Sequence, residues 1–229
     1  MSPGRRAAAR AAPVAAATML VIAVAACSDQ RPNTCFDSNA FSYGFYLGGD
    51  TALVFHWPAD RMPVRVYAEP TGATFANTDA GLWTWVGALQ CHEAWFAETT
   101  DSTHADIIVR VVAALPPLPS RAFTLAADSV GACRGRTDGT FDSTLTLNGP
   151  VRSYIAPFGA ADSVALAGCL RMTTTHELGH ALGILAHSPS AADIMYATPR
   201  RSTLSADDRY TLQSLYHTTP TIKPAPLTP

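Results

Sequence analysis

The sequence lacks the features of several large protein classes. Only 15% of its 229 residues are charged, with 16 basic and 18 acidic side chains. No basic patch and no nucleic-acid-binding motif occurs, so nucleic acid is not an expected partner. No internal repeat is present, which argues against a repeat architecture. The long apolar run, residues 11–26, is shorter than the ~20 residues that a membrane-spanning helix requires.

Residues 1–26 instead follow the pattern of a signal peptide, because a short basic segment precedes the apolar run. Their removal takes away three arginines and no acidic residue, which leaves 13 basic and 18 acidic residues and a net charge of −5. The mature chain has 203 residues. That length suffices for one domain with a sizeable core, and we expect a monomer.

The sequence VAAC at residues 24–27 resembles a bacterial lipobox. The resemblance implies cleavage before Cys27, lipidation of that residue and anchoring in the cell envelope, with Ser28 favouring the outer membrane. The alternative is ordinary secretory cleavage nearby, which would leave Cys27 as a plain thiol on a periplasmic or secreted protein.

Four cysteines follow Cys27, and an exported protein meets an oxidising compartment, so two disulfides are expected. Three connectivities are possible. Pairing Cys35 with Cys91 and Cys133 with Cys169 is favoured because each bond then joins consecutive segments.

The most informative segment reads HELGHALGILAH at residues 176–187. His176 and His180 are four residues apart, so on a helix both imidazoles lie on one face and can bind one metal ion. Glu177 follows the first histidine, where its carboxylate can take a proton from a metal-bound water. The pattern predicts a catalytic zinc site.

The second half of this segment predicts the third ligand. Glycine tolerates positive φ and commonly ends helices, so the chain can turn at Gly183 and bring His187 back to the metal. Three protein ligands leave a fourth position for water, which is typical of a catalytic zinc site.

Residues 176–196 resemble the metzincin metalloproteases, whose signature is HExxHxxGxxH followed by a Met-turn. Ser188, directly after the third histidine, makes the segment most similar to the matrixins, and residues 204–210 resemble the start of the matrixin C-terminal helix. The resemblance implies that His176, His180 and His187 bind zinc, that Glu177 is the general base and that Met195 belongs to the Met-turn.

One departure affects the third ligand. The family pattern places a histidine where this chain has Ala186, and His187 comes one residue later, which we interpret as a one-residue insertion in the turn. A glutamate ligand of the thermolysin type is excluded because no glutamate follows Glu177. Cys169 is also excluded, because it lies seven residues before His176, or about 10 Å along a helix.

Two further roles are left open. Tyr196 either lines the pocket for the residue after the cleaved bond or packs in the core. A second, structural Zn²⁺ or Ca²⁺ is common in matrixins, and Asp128, Asp138 and Asp142 could supply oxygens to it. The alternative is that these aspartates lie in solvated turns.

Hydrophobic periodicity predicts alternating strands and helices, which defines an α+β or α/β fold. Strands are expected at 63–68, 106–112, 131–136, 141–147 and 151–156, with a tight turn at Asp138-Gly139. Helices are expected from Thr78 or Asp79 to about 96, from 162 or 163 to 182, and over 205–216. Trp83, Trp85 and Trp95 are expected to pack in the core, although a carbohydrate platform is an alternative.

The resemblance implies a metzincin-type fold, with a mixed, mostly parallel twisted sheet, a long active-site helix, a Met-turn and a C-terminal helix. The matrixin-like domain is expected over residues 63–217. Residues 27–62 would form a tether and an irregular N-terminal segment, and residues 218–229 a disordered proline-rich tail.

These observations predict a zinc endopeptidase that acts on peptides or proteins. One alternative is a catalytically silent zinc-binding envelope lipoprotein that serves as a binding module, although such a module has no need of Glu177. Another is a structural envelope protein, which would hold its metal with four protein ligands.

Overall fold

The structure is a computed structural model, which describes residue 40 and residues 42–47, 53–70, 73–119, 122–124, 128–159 and 162–225. Within these ranges the chain forms a seven-stranded sheet and three α-helices. In chain order the elements are β1 (Val64–Ala68), α1 (Ala73–Val86), β2 (Phe96–Thr99), β3 (Ile107–Val111), β4 (Ala122–Thr124), β5 (Asp128–Val130), β6 (Cys133–Thr140), β7 (Thr146–Leu147), β8 (Val151–Pro157), α2 (Ser163–Ala181), α3 (Ala206–Tyr216) and β9 (Lys223–Pro224). Strands β7 and β9 form a separate pair.

The main sheet is mixed and mostly parallel, which confirms the predicted fold class. Its order is β2-β1-β3-β8-β6-β4, and β5 also pairs with β6. The first four strands are parallel, whereas β6 runs antiparallel to β8. The central strand β3 is rich in β-branched residues and buries Ile107 and Val109 completely, as expected for a strand covered on both faces.

Helix α2 follows its sequence prediction closely. The Asp162 carboxylate caps it by accepting hydrogen bonds from the backbone N–H groups of Val164 and Ala165, at 3.0 and 2.9 Å. Three consecutive threonines, residues 173–175, are poor helix formers, but all three are buried. Tertiary packing of α2 against α1 and the sheet therefore stabilises this turn.

The prediction for α1 was wrong at both ends. The helix spans Ala73–Val86 and does not begin near Thr78 or reach 96. Thr78 lies inside the helix, where its hydroxyl donates to the Thr74 carbonyl at 2.9 Å instead of capping an N-terminus. Residues 87–95 form a connection, and Phe96 begins strand β2.

The predicted turn at Asp138-Gly139 was also wrong, because both residues lie inside β6. Asp138 pairs with Arg152 of β8, and Gly139 pairs with Phe123 of β4. The Arg136 guanidinium donates to the Asp138 carboxylate at 2.8 Å, which compensates its charge within the sheet. Strand pairing on both sides thus overrides the local turn preference of this dipeptide.

Described residues on both sides of the predicted domain pack against it. Phe55 and Trp57, upstream of 63, are buried in the core. Residues 218–225 were expected to be disordered, but β9 pairs with β7, and Ile222 forms a bridge with Phe55. None of the helices in the described ranges combines the length and apolar character that a bilayer crossing needs.

A disulfide joins Cys133 of β6 to Cys169 of α2, as the sequence predicted. Cys91 is also disulfide-bonded. Its predicted partner Cys35 lies outside the described residues, as do the predicted signal peptide and Cys27, so these assignments stay predictions.

Candidate metal centre

Three histidines converge beside the C-terminal end of α2. One ligand atom from each of His176, His180 and His187 lies within 4.8 Å of the other two. The centroid of the His187 ring is 5.4 Å from that of the His176 ring and 5.0 Å from that of the His180 ring. The structure therefore brings together the residues that the sequence assigned to zinc, including the displaced third histidine.

Backbone carbonyls fix the rings of the first two histidines. Nδ1 of His176 donates to the Ile194 carbonyl and Nδ1 of His180 donates to the Ile184 carbonyl, both at 2.6 Å. Because a carbonyl oxygen only accepts, Nδ1 of each ring carries a proton, which leaves Nε2 as the nitrogen that faces the other histidines. Such an outer hydrogen bond is typical of metal-binding histidines.

Gly183 ends the active-site helix in the conformation that its sequence position predicted. Its φ is +117°, in the region that disfavours residues with a Cβ. The backbone N–H of Gly183 donates to the backbone carbonyl of His180 at 3.0 Å, and the backbone N–H of Ile184 donates to the backbone carbonyl of Gly179 at 3.1 Å. This pair of bonds is a Schellman motif, and it places the Ile184 carbonyl where it orients the second ligand.

The segment after the helix positions the third ligand. The backbone N–H of Ser188 donates to the Met195 carbonyl at 2.8 Å, and its hydroxyl donates to the Asp193 carboxylate. Ser188 also forms a bridge with Tyr196. His187 is thereby tied to the turn that also orients His176.

Met195 is fully buried in the core, with its sulfur packed against Gly179 of α2, and Tyr196 is half-buried. The assignment of Met195 to a Met-turn stays a prediction. Asp193 is buried and bonded to Ser188, as a residue that braces the turn should be.

Asp208 in the first turn of α3 holds the turn at Met195 against that helix. Its carboxylate accepts hydrogen bonds from the backbone N–H groups of Ile194, Met195 and Ser205, at 2.9, 3.3 and 2.8 Å. The Tyr43 hydroxyl adds a fourth at 2.7 Å. Burial, together with this carboxylate, raises the pKa of Tyr43, which keeps its hydroxyl protonated as a donor.

Replacing Asp208 with alanine should therefore lower the free energy of unfolding by about 3 kcal/mol, because several buried donors lose their acceptor. Asp207 is the matched control, since it lies in the same turn but is half-exposed. Asp207→Ala should cost less than ~1 kcal/mol. Urea denaturation of both variants tests this; equal losses would contradict the role of Asp208.

Glu177 points from α2 toward β6 and is 1% exposed. The Thr137 hydroxyl donates to its Oε2 at 2.6 Å, and Ser153 lies 2.9 Å from the same hydroxyl. A Cβ on Gly135 would lie 2.0 Å from Glu177 Oε1, so this position in β6 must lack a side chain. Thr137 and Gly135, two residues apart on one face of the strand, together define the carboxylate position.

The sequence did not single out Thr137, Gly135 or Ser153. The only sequence signal is the i, i+2 spacing of Gly135 and Thr137 in β6. That spacing acquires meaning only when β6 is known to lie next to α2.

The predicted second ion has no support from the aspartates proposed for it. Asp138 binds Arg136, and Asp142 accepts from Thr144 and Thr146, bonds that lower its pKa. Only the backbone of Asp128 is described.

Cys91, Glu93 and His217 form a second cluster of metal-ligand types in the described residues. The disulfide of Cys91 removes the thiolate that a metal would need. His217 directly follows α3 as its C-cap residue and lies 3.5 Å from the buried Glu93 carboxylate. This cluster is therefore a histidine–glutamate contact beside a disulfide.

The histidine geometry fits zinc. Neighbouring ligands of a tetrahedral ion with Zn–N distances of ~2.0–2.1 Å lie roughly 3.3 Å apart. The Nε2 atoms of His176 and His180 are 3.1 Å apart. Because Nδ1 of each ring carries a proton, these Nε2 atoms are the nitrogens left to bind a cation.

Three imidazoles from a helix and the bend after it, above a methionine-containing turn, define a metzincin-type centre on a mixed sheet. The chain matches the matrixin family over residues 90–217, which is more than half of its length, and it belongs to that family. A comparison with curated proteins gives no significant match. The family and the histidine triad indicate a zinc metallopeptidase.

Proposed function

We propose that this protein is a zinc-dependent endopeptidase in which Glu177 is the general base. Three histidine ligand atoms lie within 4.8 Å of one another, and the buried, anchored Glu177 carboxylate directly follows the first of these histidines in the sequence. This combination carries the proposal. A protein that only bound zinc would need the three histidines. It would have no use for a carboxylate fixed at this position.

Each residue has a defined part in peptide hydrolysis. His176, His180 and His187 would hold a zinc ion, which would supply Lewis-acid chemistry for the peptide carbonyl and for a water molecule. Glu177 accepts the proton of the attacking water and delivers it to the nitrogen of the departing amine. Thr137 anchors Oε2, so the carboxylate is held in place before substrate arrives.

Cleavage of a mixed-sequence peptide library tests the proposal. The zinc-loaded protein should hydrolyse internal peptide bonds, a chelator should abolish cleavage and added zinc should restore it. Protein that contains one zinc per chain but cleaves no peptide would contradict the proposed function and favour a zinc-binding module.

Thr137→Val should reduce kcat by roughly 10- to 100-fold with little change in KM, because a hydrogen bond to a charged group is worth ~1.5–3 kcal/mol. Valine keeps the shape of threonine but cannot donate. Thr137→Ser is the matched control, since it retains the hydroxyl and should retain most of kcat. Steady-state kinetics of both variants distinguishes positioning of Glu177 from packing, because a packing role would spare Thr137→Val, which keeps the shape, and impair Thr137→Ser, which loses the methyl group.

We further propose that the enzyme acts at the cell envelope, anchored through a lipid on Cys27. The signal-peptide pattern and the lipobox-like VAAC support this location. Cys27→Ser should move the protein from the membrane fraction to the soluble fraction. An unmodified mature N-terminus in the mass spectrum of the parent protein would contradict the anchor.

A further inference from the structure

A cavity of about 300 Å³ lies between helix α1 and strand β2. Trp83 and Trp95 line it and are 68% and 48% exposed. Only Trp85 follows the sequence expectation of core packing: it is fully buried, and its indole N–H donates to the Thr175 carbonyl at 2.8 Å. Two large aromatic rings therefore face solvent around one cavity.

The cavity also carries negative charge. Asp79 and Glu98 line it, and no basic side chain does so among the described residues. The Trp83 indole N–H donates to Asp79 at 2.7 Å, which fixes this ring beside the carboxylate. Burial and the neighbouring Asp79 carboxylate both raise the pKa of Glu98, as expected for two acids that repel each other.

The cavity is separate from the metal centre. It lies at strand β2, one end of the sheet, whereas Glu177 contacts β6, four strands away in the sheet order. None of the residues that line the cavity belongs to α2 or to the bend that carries His187, so its lining shares no residue with the histidine triad.

We propose that this cavity binds the guanidinium group of an arginine side chain presented by a peptide or protein. Indole faces attract cations, and a planar guanidinium can stack on one ring while it pairs with a carboxylate. A carbohydrate could stack on the same rings, but it brings no charge to offset the repulsion between Asp79 and Glu98. The proposal does not depend on peptidase activity.

A titration of the full chain with N-acetyl-arginine methylamide tests the proposal, with the NMR signals of the Trp83 and Trp95 indole N–H groups as the readout. N-acetyl-citrulline methylamide is the matched probe, because it has nearly the same shape and no charge. The arginine probe should shift both signals saturably. The citrulline probe should bind at least about tenfold more weakly.

The carboxylates are tested by Asp79→Asn combined with Glu98→Gln, which keeps the shape of the cavity and should weaken arginine binding about tenfold or more. Asp101→Asn, an exposed carboxylate that does not line the cavity, should leave binding unchanged. Equal binding of both probes, or full binding by the double variant, would overturn the proposal. A response to N-acetylglucosamine oligomers without a response to arginine would also overturn it.

Discussion

Replacing Glu177 with glutamine should leave zinc bound and reduce peptide cleavage by roughly 10²- to 10⁴-fold, the usual contribution of a general base. Glutamine fills nearly the same space against β6, but it cannot accept the proton of the attacking water. Because the ligand atoms belong to the histidines, the metal content should not change. Steady-state kinetics together with zinc analysis of the purified variant measures both effects.

Glu69→Gln is the control for this variant, since it makes the same chemical change directly after strand β1, away from the histidines. It should retain full activity. Glu177→Ala should resemble Glu177→Gln in rate. If either Glu177 variant cleaves peptides at the parent rate, the carboxylate is not the base.

Gly183→Ala should lower the free energy of unfolding by about 3 kcal/mol or more and weaken zinc binding. A Cβ at this position would lie 2.0 Å from the Phe55 carbonyl oxygen, a backbone atom that cannot easily yield. The φ of +117° is itself unfavourable for alanine. Relief of the clash must shift the bend that leads from His180 to His187.

Gly168→Ala is the matched control for this change. Gly168 lies inside the helix that Gly183 ends, and a Cβ there meets no atom within 4 Å. Alanine at this position should stabilise the protein by up to ~1 kcal/mol, because glycine is the poorer helix former. Thermal unfolding and competitive zinc titration of both variants measure the difference; a Gly183→Ala protein with unchanged stability and zinc affinity would show that the bend does not depend on glycine.

The ligand set was predictable because its geometry is local. The spacing of His176 and His180 places both rings on one helix face, and Gly183 both ends the helix and supplies the positive φ that its position suggested. The one-residue displacement of His187 raised a doubt that sequence could not resolve. In the structure a ligand atom of His187 lies within 4.8 Å of those of His176 and His180, and the hydrogen bond from Ser188 to Met195 ties the bend to the turn at Met195.

Features that depend on distant pairing were not predictable. Asp138-Gly139 has the composition of a turn, yet neighbours from β4 and β8 hold it in a strand. Strand β9 was predicted to be part of a disordered tail because its partner β7 is 77 residues earlier in the chain. The support that Thr137 and Gly135 give to Glu177 likewise exists only once β6 lies beside α2.

The tryptophans show a different limit. Spacing along α1 suggested burial for Trp83, but this ring and Trp85 are two residues apart and therefore lie on different sides of the helix. Trp95 was assigned to an extended helix that in fact ends at Val86. An incorrect helix boundary thus concealed the aromatic cavity.

X-ray absorption at the zinc edge tests the central claim most directly, because it counts the atoms around the bound metal. For the zinc-loaded protein we expect three imidazole nitrogens and one exchangeable oxygen at ~2.0–2.1 Å. His187→Ala should remove one imidazole from this shell. A sulfur ligand, a fourth imidazole or a shell unchanged by the loss of His187 would contradict an open, three-histidine catalytic site.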